Sequence, residues 1–123
     1  MSKLFFNKLQ ELEILCKDST KHGCNKKNLK QCDVKELGSG NFGIVKKCIT
    51  NNKLPQEYAV KMVKNLTSIT KEQEEEEKIN LVNEVIIMIN IGDHSNIIKI
   101  MGFNVSPLGD NNYNISLLLE ICN

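Results

Sequence analysis

The chain contains no arginine: all sixteen of its basic residues are lysine. Asparagine, also sixteen, and isoleucine, fourteen, are similarly abundant. These three types share A- and T-rich codons, so the bias is read as the base composition of the source and not as function. Any motif built on a guanidinium is excluded. A long apolar run is also missing, since the longest, Val85–Ile89, is far too short to span a bilayer. The opening Met1-Ser-Lys-Leu-Phe-Phe-Asn-Lys8 turns polar too early for a secretory signal. The five cysteines, Cys16, Cys24, Cys32, Cys48 and Cys122, are odd in number and lack C-x-x-C spacing, which argues against a disulfide framework or a closed zinc site. His22 and Cys24 lie close together, but only Cys32 is within reach and no fourth ligand follows. No metal site is therefore expected, and free thiols in a reducing, cytoplasmic setting are.

What is present describes one small domain. At 123 residues, with 41% hydrophobic and 25% charged side chains and a net charge of +1, the chain has enough apolar material to bury a core.

Three regions are expected along it. In residues 1–16, Phe5, Leu9, Leu12 and Cys16 recur at spacings of four, three and four, the pattern of an amphipathic helix. Docking on the body of the protein is the simplest use for it; a partner-binding or membrane-surface helix is the alternative. Residues 17–31 set Lys17, Lys21, Lys26, Lys27 and Lys30 against the single acid Asp18, with almost nothing apolar. Such a segment could touch phospholipid or nucleic acid, but no aromatic is interleaved to stack on bases. It is read as a solvated linker, with no nucleic-acid partner. Residues 32–123 form the third region. There Val34 and Glu36 alternate with Lys35 and Leu37, Ile44–Ile49 and Tyr58–Val63 are β-rich, and Thr50–Pro55 is punctuated as a turn. Thr70-Lys-Glu-Gln73 has the form of a capping box, opening a helix that should run to Ile91 and stop at Gly92. Its acid run, Glu72 and Glu74–Glu77, suits the positive end of the helix dipole and reads as a solvated face. Ile97–Val105 and Tyr113–Ile121 complete the chain as strands joined by Ser106–Asn112. The order is helix, linker, β-β-β-α-β-β.

Two features carry chemistry. Gly38-Ser39-Gly40-Asn41-Phe42-Gly43-Ile44-Val45 is G-x-G-x-x-G-x-V. Glycines let a backbone approach phosphate oxygens with no Cβ in the way, and Phe42 at the tip could shield the site from water. A dinucleotide-binding fold uses a similar pattern, but needs a buried strand before it and a helix after it. Here the preceding Asp33-Val-Lys-Glu36 is charged and the following Ile-Val-Lys-Lys-Cys-Ile is a strand, although Glu57 falls near the place of a ribose-binding acid. Eighteen residues after Gly43, Lys61 sits in the apolar Tyr58-Ala-Val-Lys-Met. A lysine on an interior strand needs an anion. Either a phosphate or Glu84, the acid within the apolar half of the helix, would serve. Taken alone, Lys61 could snorkel to solvent and Glu84 could face water beside Asn80 and Asn83.

Together, glycine segment, Ala59-Val-Lys61 and helix glutamate resemble the N-terminal lobe of a eukaryotic protein kinase over residues 33–123. Residues 35–47 are most similar to spleen tyrosine kinase. Glu84 to Gly102, with Ile91-Gly-Asp-His94-Ser-Asn96-Ile, resembles receptor tyrosine kinases of the fibroblast-growth-factor type, so the resemblance leans toward tyrosine kinases. It implies an α+β fold: a five-stranded antiparallel sheet with one regulatory helix. It implies ATP as ligand, with Lys61 on the α- and β-phosphates and Glu84 orienting it. Leu37, Val45 and Ala59 would sandwich the adenine, Leu119 would be the gatekeeper, and the backbones of Glu120 and Cys122 would bind the adenine edge. Met88 and Ile100 would belong to the regulatory spine. One departure is the twenty-three residues between Lys61 and Glu84, a surplus assigned to the acidic start of the helix.

Phosphoryl transfer in this family also requires an H-R-D aspartate and a D-F-G aspartate for Mg²⁺. Without arginine there is no H-R-D, and Asp18, Asp33, Asp93 and Asp110 are followed by Ser, Val, His and Asn. The expectation is therefore a lobe that needs a C-terminal lobe as partner for activity and for Mg²⁺, with its protein substrate unspecified. A non-catalytic, kinase-like interaction module is the alternative.

Overall fold

Alternating side chains turn the β-rich stretches into strands whose two faces differ. The computed structural model describes residues 3–17, 20–40, 43–50, 56–63, 70–92, 99–109 and 112–121. It contains strands β1 (Leu29–Ser39), β2 (Gly43–Thr50), β3 (Glu57–Val63), β4 (Ile100–Gly109) and β5 (Asn112–Leu119), with helices α1 (Lys3–Cys16) and α2 (Lys71–Ile91). The strands form one antiparallel sheet in the order β1-β2-β3-β5-β4. This is the α+β class expected. On β5, Ile115 and Leu117 point to the helix side, while Leu118 joins Cys48, Tyr58 and Val60 in a smaller cluster on the opposite face.

The larger core lies between the Ile115–Leu117 face and the two helices. α2 contributes Leu81, Val82, Val85 and Ile89, and α1 contributes Phe5 and Leu12, both fully buried. Burying side chains of this size stabilises by about 1.5–3 kcal/mol each, which accounts for α1 docking on the body. The ends of α2 are set locally. Thr70 Oγ1 accepts from the Gln73 N–H at 3.1 Å and Gln73 Oε1 accepts from the Thr70 N–H at 3.2 Å. Gly92 ends the helix at φ 76°, a conformation glycine adopts without strain, and its N–H donates to Met88 O. Among the described residues no helix is long and apolar enough to cross a membrane.

Three stretches differ from expectation. Residues 20–28 are less solvated than a free linker. A Cβ on Gly23 would lie 2.7 Å from Ile89 Cγ1 and 2.8 Å from Ile100 Cγ2, so only glycine fits there. The Phe103 N–H donates to Asn25 O at 3.0 Å and the Lys27 N–H to Phe103 O at 2.9 Å, a short pairing on the edge strand β4. These contacts use the backbone, which composition does not register. Second, Ser106–Gly109 extend β4, and Asn112 already pairs with Gly109. Pro107 is tolerated there because β4 is an outer strand, where its missing N–H leaves no ladder bond unmade.

Third, the expectation of free thiols is corrected. Cys16 is disulfide-bonded to Cys24 and Cys32 to Cys48. Cys32 and Cys48 are register partners across β1 and β2, and the fold-back after α1 returns Cys24 to Cys16. Linear spacing cannot reveal either juxtaposition. Cys122, like the turn residues 51–55 and residues 97–98, lies outside the described residues.

Candidate functional site

The β1–β2 hairpin ends in glycines, and the ladder beside it places the lysine. Gly40 N–H donates to Gly43 O at 2.9 Å, drawing the two strand ends together; Asn41 and Phe42 lie outside the described residues. A Cβ added to Gly38 or Gly40 would meet nothing within 4 Å, and one on Gly43 would lie 3.9 Å from Lys61 Cε. The bare backbone therefore faces open space beside the lysine. Val45 pairs with Lys61 across β2 and β3, and Lys61 with Leu117 across β3 and β5. Residues at odd positions of β3 share one face, so Ala59, Lys61 and Val63 lie together while Tyr58 and Val60 pack on the other side.

Lys61 Nζ donates to both carboxylate oxygens of Glu84, at 3.1 Å and 3.0 Å. Each side chain retains 39% of its accessible surface. A pair this open to water contributes about 0–1 kcal/mol to stability, so it matters for position more than for folding. An ammonium has three N–H donors; with two on the carboxylate, one remains for an anion.

The pair forms one wall of a cavity of about 450 Å³. Gly38, Ser39, Gly40 and Gly43 line the wall toward the hairpin, and Val45 lines it from β2. Glu77 and Asn80 of α2 line it too, although the sequence reads both as solvated positions and not as site residues. They precede Glu84 by seven and four residues, which the helical period puts on one face, and that spacing is the signal that finds them.

The remaining candidates lie apart from this cavity. Leu37 is 60% exposed and sits where the β1–β2 register shifts between Glu36 and Gly38, a bulge that breaks the alternation. Ala59 pairs with Leu119, which is half-buried against the main core. The Glu120 N–H donates to Lys99 O at 3.1 Å, and Cys122 lies outside the described residues. Met88 and Ile100 line one smaller cavity of about 160 Å³ together with Gly23. Among the described residues, Gly38, Ser39, Gly40, Gly43, Val45, Lys61 and Glu84 thus share a cavity, and Ala59 adjoins it through the strand ladder.

No curated protein sequence matches the chain. The sequence profile of the protein kinase domain matches residues 32–123, three-quarters of the chain and all five strands except the first residues of β1. With that match, the chain belongs to the protein kinase domain family.

Proposed function

We propose that this lobe binds ATP, with its phosphates against the glycine backbone of Gly38, Ser39, Gly40, Asn41, Phe42 and Gly43 and on the free N–H of Lys61. The single observation that supports it most is the water-accessible Lys61–Glu84 pair beside unshielded glycine backbone. Glu84 orients the ammonium while the cavity leaves it accessible to a phosphate oxygen. Leu37, Val45, Ala59 and Leu119 would enclose the base. Because the Glu120 N–H is engaged by Lys99 O, the adenine edge would meet the Glu120 carbonyl, with Cys122 supplying the second backbone contact.

Protein kinases in general use ATP with Mg²⁺. Among the described residues the carboxylates of this cavity do not make a Mg²⁺ site of their own, since Glu84 is held by Lys61 and Glu77 is the other acid that lines it. No H-R-D or D-F-G occurs in the chain. What these residues do is bind and orient the nucleotide; a C-terminal lobe would supply base and metal ligands. The proposed target is a tyrosine hydroxyl of a protein, a reading supported by the resemblance of residues 35–47 and 84–102 to tyrosine kinases.

An ATP titration of the ¹⁵N-labelled chain tests the site. Binding of about millimolar strength is expected, since one cation faces the phosphates. Amide shifts should centre on Gly38, Gly43, Val45 and Lys61. Lys61→Ala should remove the response and leave the remaining spectrum intact. An alanine variant that binds ATP as the parent does would overturn the reading, as would micromolar affinity with shifts elsewhere.

A further inference from the structure

α2 carries a second lysine in an unusual place. Lys78 lies in the same buried stripe as Leu81, Val82, Val85 and Ile89, and only 3% of it is exposed. Its Nζ donates to Tyr113 O on β5 at 3.0 Å and lies 3.7 Å from Glu74 Oε1, one turn earlier. Taking an ammonium out of water costs several kcal/mol before its partners are counted. A methionine would occupy a similar volume with no charge to desolvate. Holding the helix on the sheet therefore does not require a lysine at this position; a directional bond does.

Lys78 precedes Glu84 by six residues, which turns it about 120° around the helix and about 9 Å along it. The two side chains bond to neighbouring strands of one sheet: Lys78 to β5 and Glu84 to Lys61 on β3. Apolar contacts between them resist separation but have no preferred angle. Two polar bonds at different angles fix the rotation of a cylinder. Tyr113 is itself braced, because its ring meets Phe6 of α1 edge-on at 5.9 Å.

We infer that Lys78 is a positioning residue: its bond to the Tyr113 carbonyl sets the rotation of α2 that brings Glu84 onto Lys61. This rests on the nucleotide-binding reading only for its consequence on affinity; the geometric claim stands apart from it.

The test follows the Lys61 ammonium by ¹⁵N NMR in Lys78→Met, with Glu84→Gln marking the unpaired state. The methionine variant should keep the amide spectrum of a folded lobe while the Lys61 signal moves most of the way to the Glu84→Gln position. ATP affinity should fall about threefold to tenfold, and the double variant should bind no more weakly than Glu84→Gln alone, as expected for two residues acting through one contact. A folded Lys78→Met with an unchanged Lys61 signal overturns the proposal. Lys78→Leu is the second variant; if both fail to fold, Lys78 is a structural anchor and the positioning role is lost. A Lys61 signal that moves in Lys78→Met, in a parent chain that shows no ATP response, would support the positioning role and remove the nucleotide reading.

Discussion

The two halves of α2 are attached by different physics. From Leu81 to Ile89 the helix is held by burial: Leu81, Val82, Val85 and Ile89 pack against Phe5 and Leu12 of α1 and against Phe103, Ile115 and Leu117 of the sheet. From Lys71 to Lys78 it is acidic and only partly buried, and its attachments include the Thr70–Gln73 box, the Lys78 bond to Tyr113 and the Lys78–Glu74 ion pair. Burial supplies strength without direction, whereas hydrogen bonds supply direction with little net strength. Glu84 sits in the half that has strength, and its usefulness depends on an angle that the other half defines. A long helix on a sheet can thus be stable and still need a polar guide.

This contrast can be broken from the strong side first. Ile89→Ala should destabilise by about 2–5 kcal/mol through a cavity in the shared core, read as a lower denaturant midpoint with unchanged slope. A loss below about 1 kcal/mol would mean that burial does not hold the C-terminal half. Thr70→Ala should remove one capping bond, at about 1 kcal/mol, with fraying confined to the first turn in amide exchange. Exchange that rises equally at Val85 would show the halves to be one cooperative unit. Glu76→Gln, on the exposed acidic face, should change stability by no more than about 0.5 kcal/mol. A larger effect would show that Glu76 itself helps to hold the N-terminal half on the sheet.

Much of this was legible in residue types and spacing. Thr70, Gln73 and Gly92 announce both ends of α2 because capping is a local interaction of side chain and backbone. Lys61 and Glu84 each stand out as a charge within an apolar stretch, and it is their combination with the glycine segment that pairs them. The strands follow from β-rich runs and the turns between them, and the five-stranded sheet from the family resemblance. What stayed hidden depends on chain elements far apart. Cys32 and Cys48 meet only once β1 and β2 are in register, and that register shifts along β1. Lys78 directly follows the four consecutive glutamates read as a solvated face, and its burial becomes evident only when β5 is laid against it. Asn25–Lys27 have no apolar side chains to signal their contact with β4. Leu37 was placed by resemblance, and a bulge decides its exposure.

That last contact, between Asn25–Lys27 and β4, also bears on solubility. A sheet of this order has two open sides, β1 and β4, each a row of backbone donors and acceptors that a second chain could extend. Along β4 the chain's own Asn25–Lys27 backbone already takes the N–H and the carbonyl of Phe103, and Pro107 offers no N–H further along. On β1, Lys30 and Lys35 are exposed and set charge along the other margin. The stretch that composition describes as a spacer thus occupies the β4 edge at Phe103, where a second chain could otherwise add.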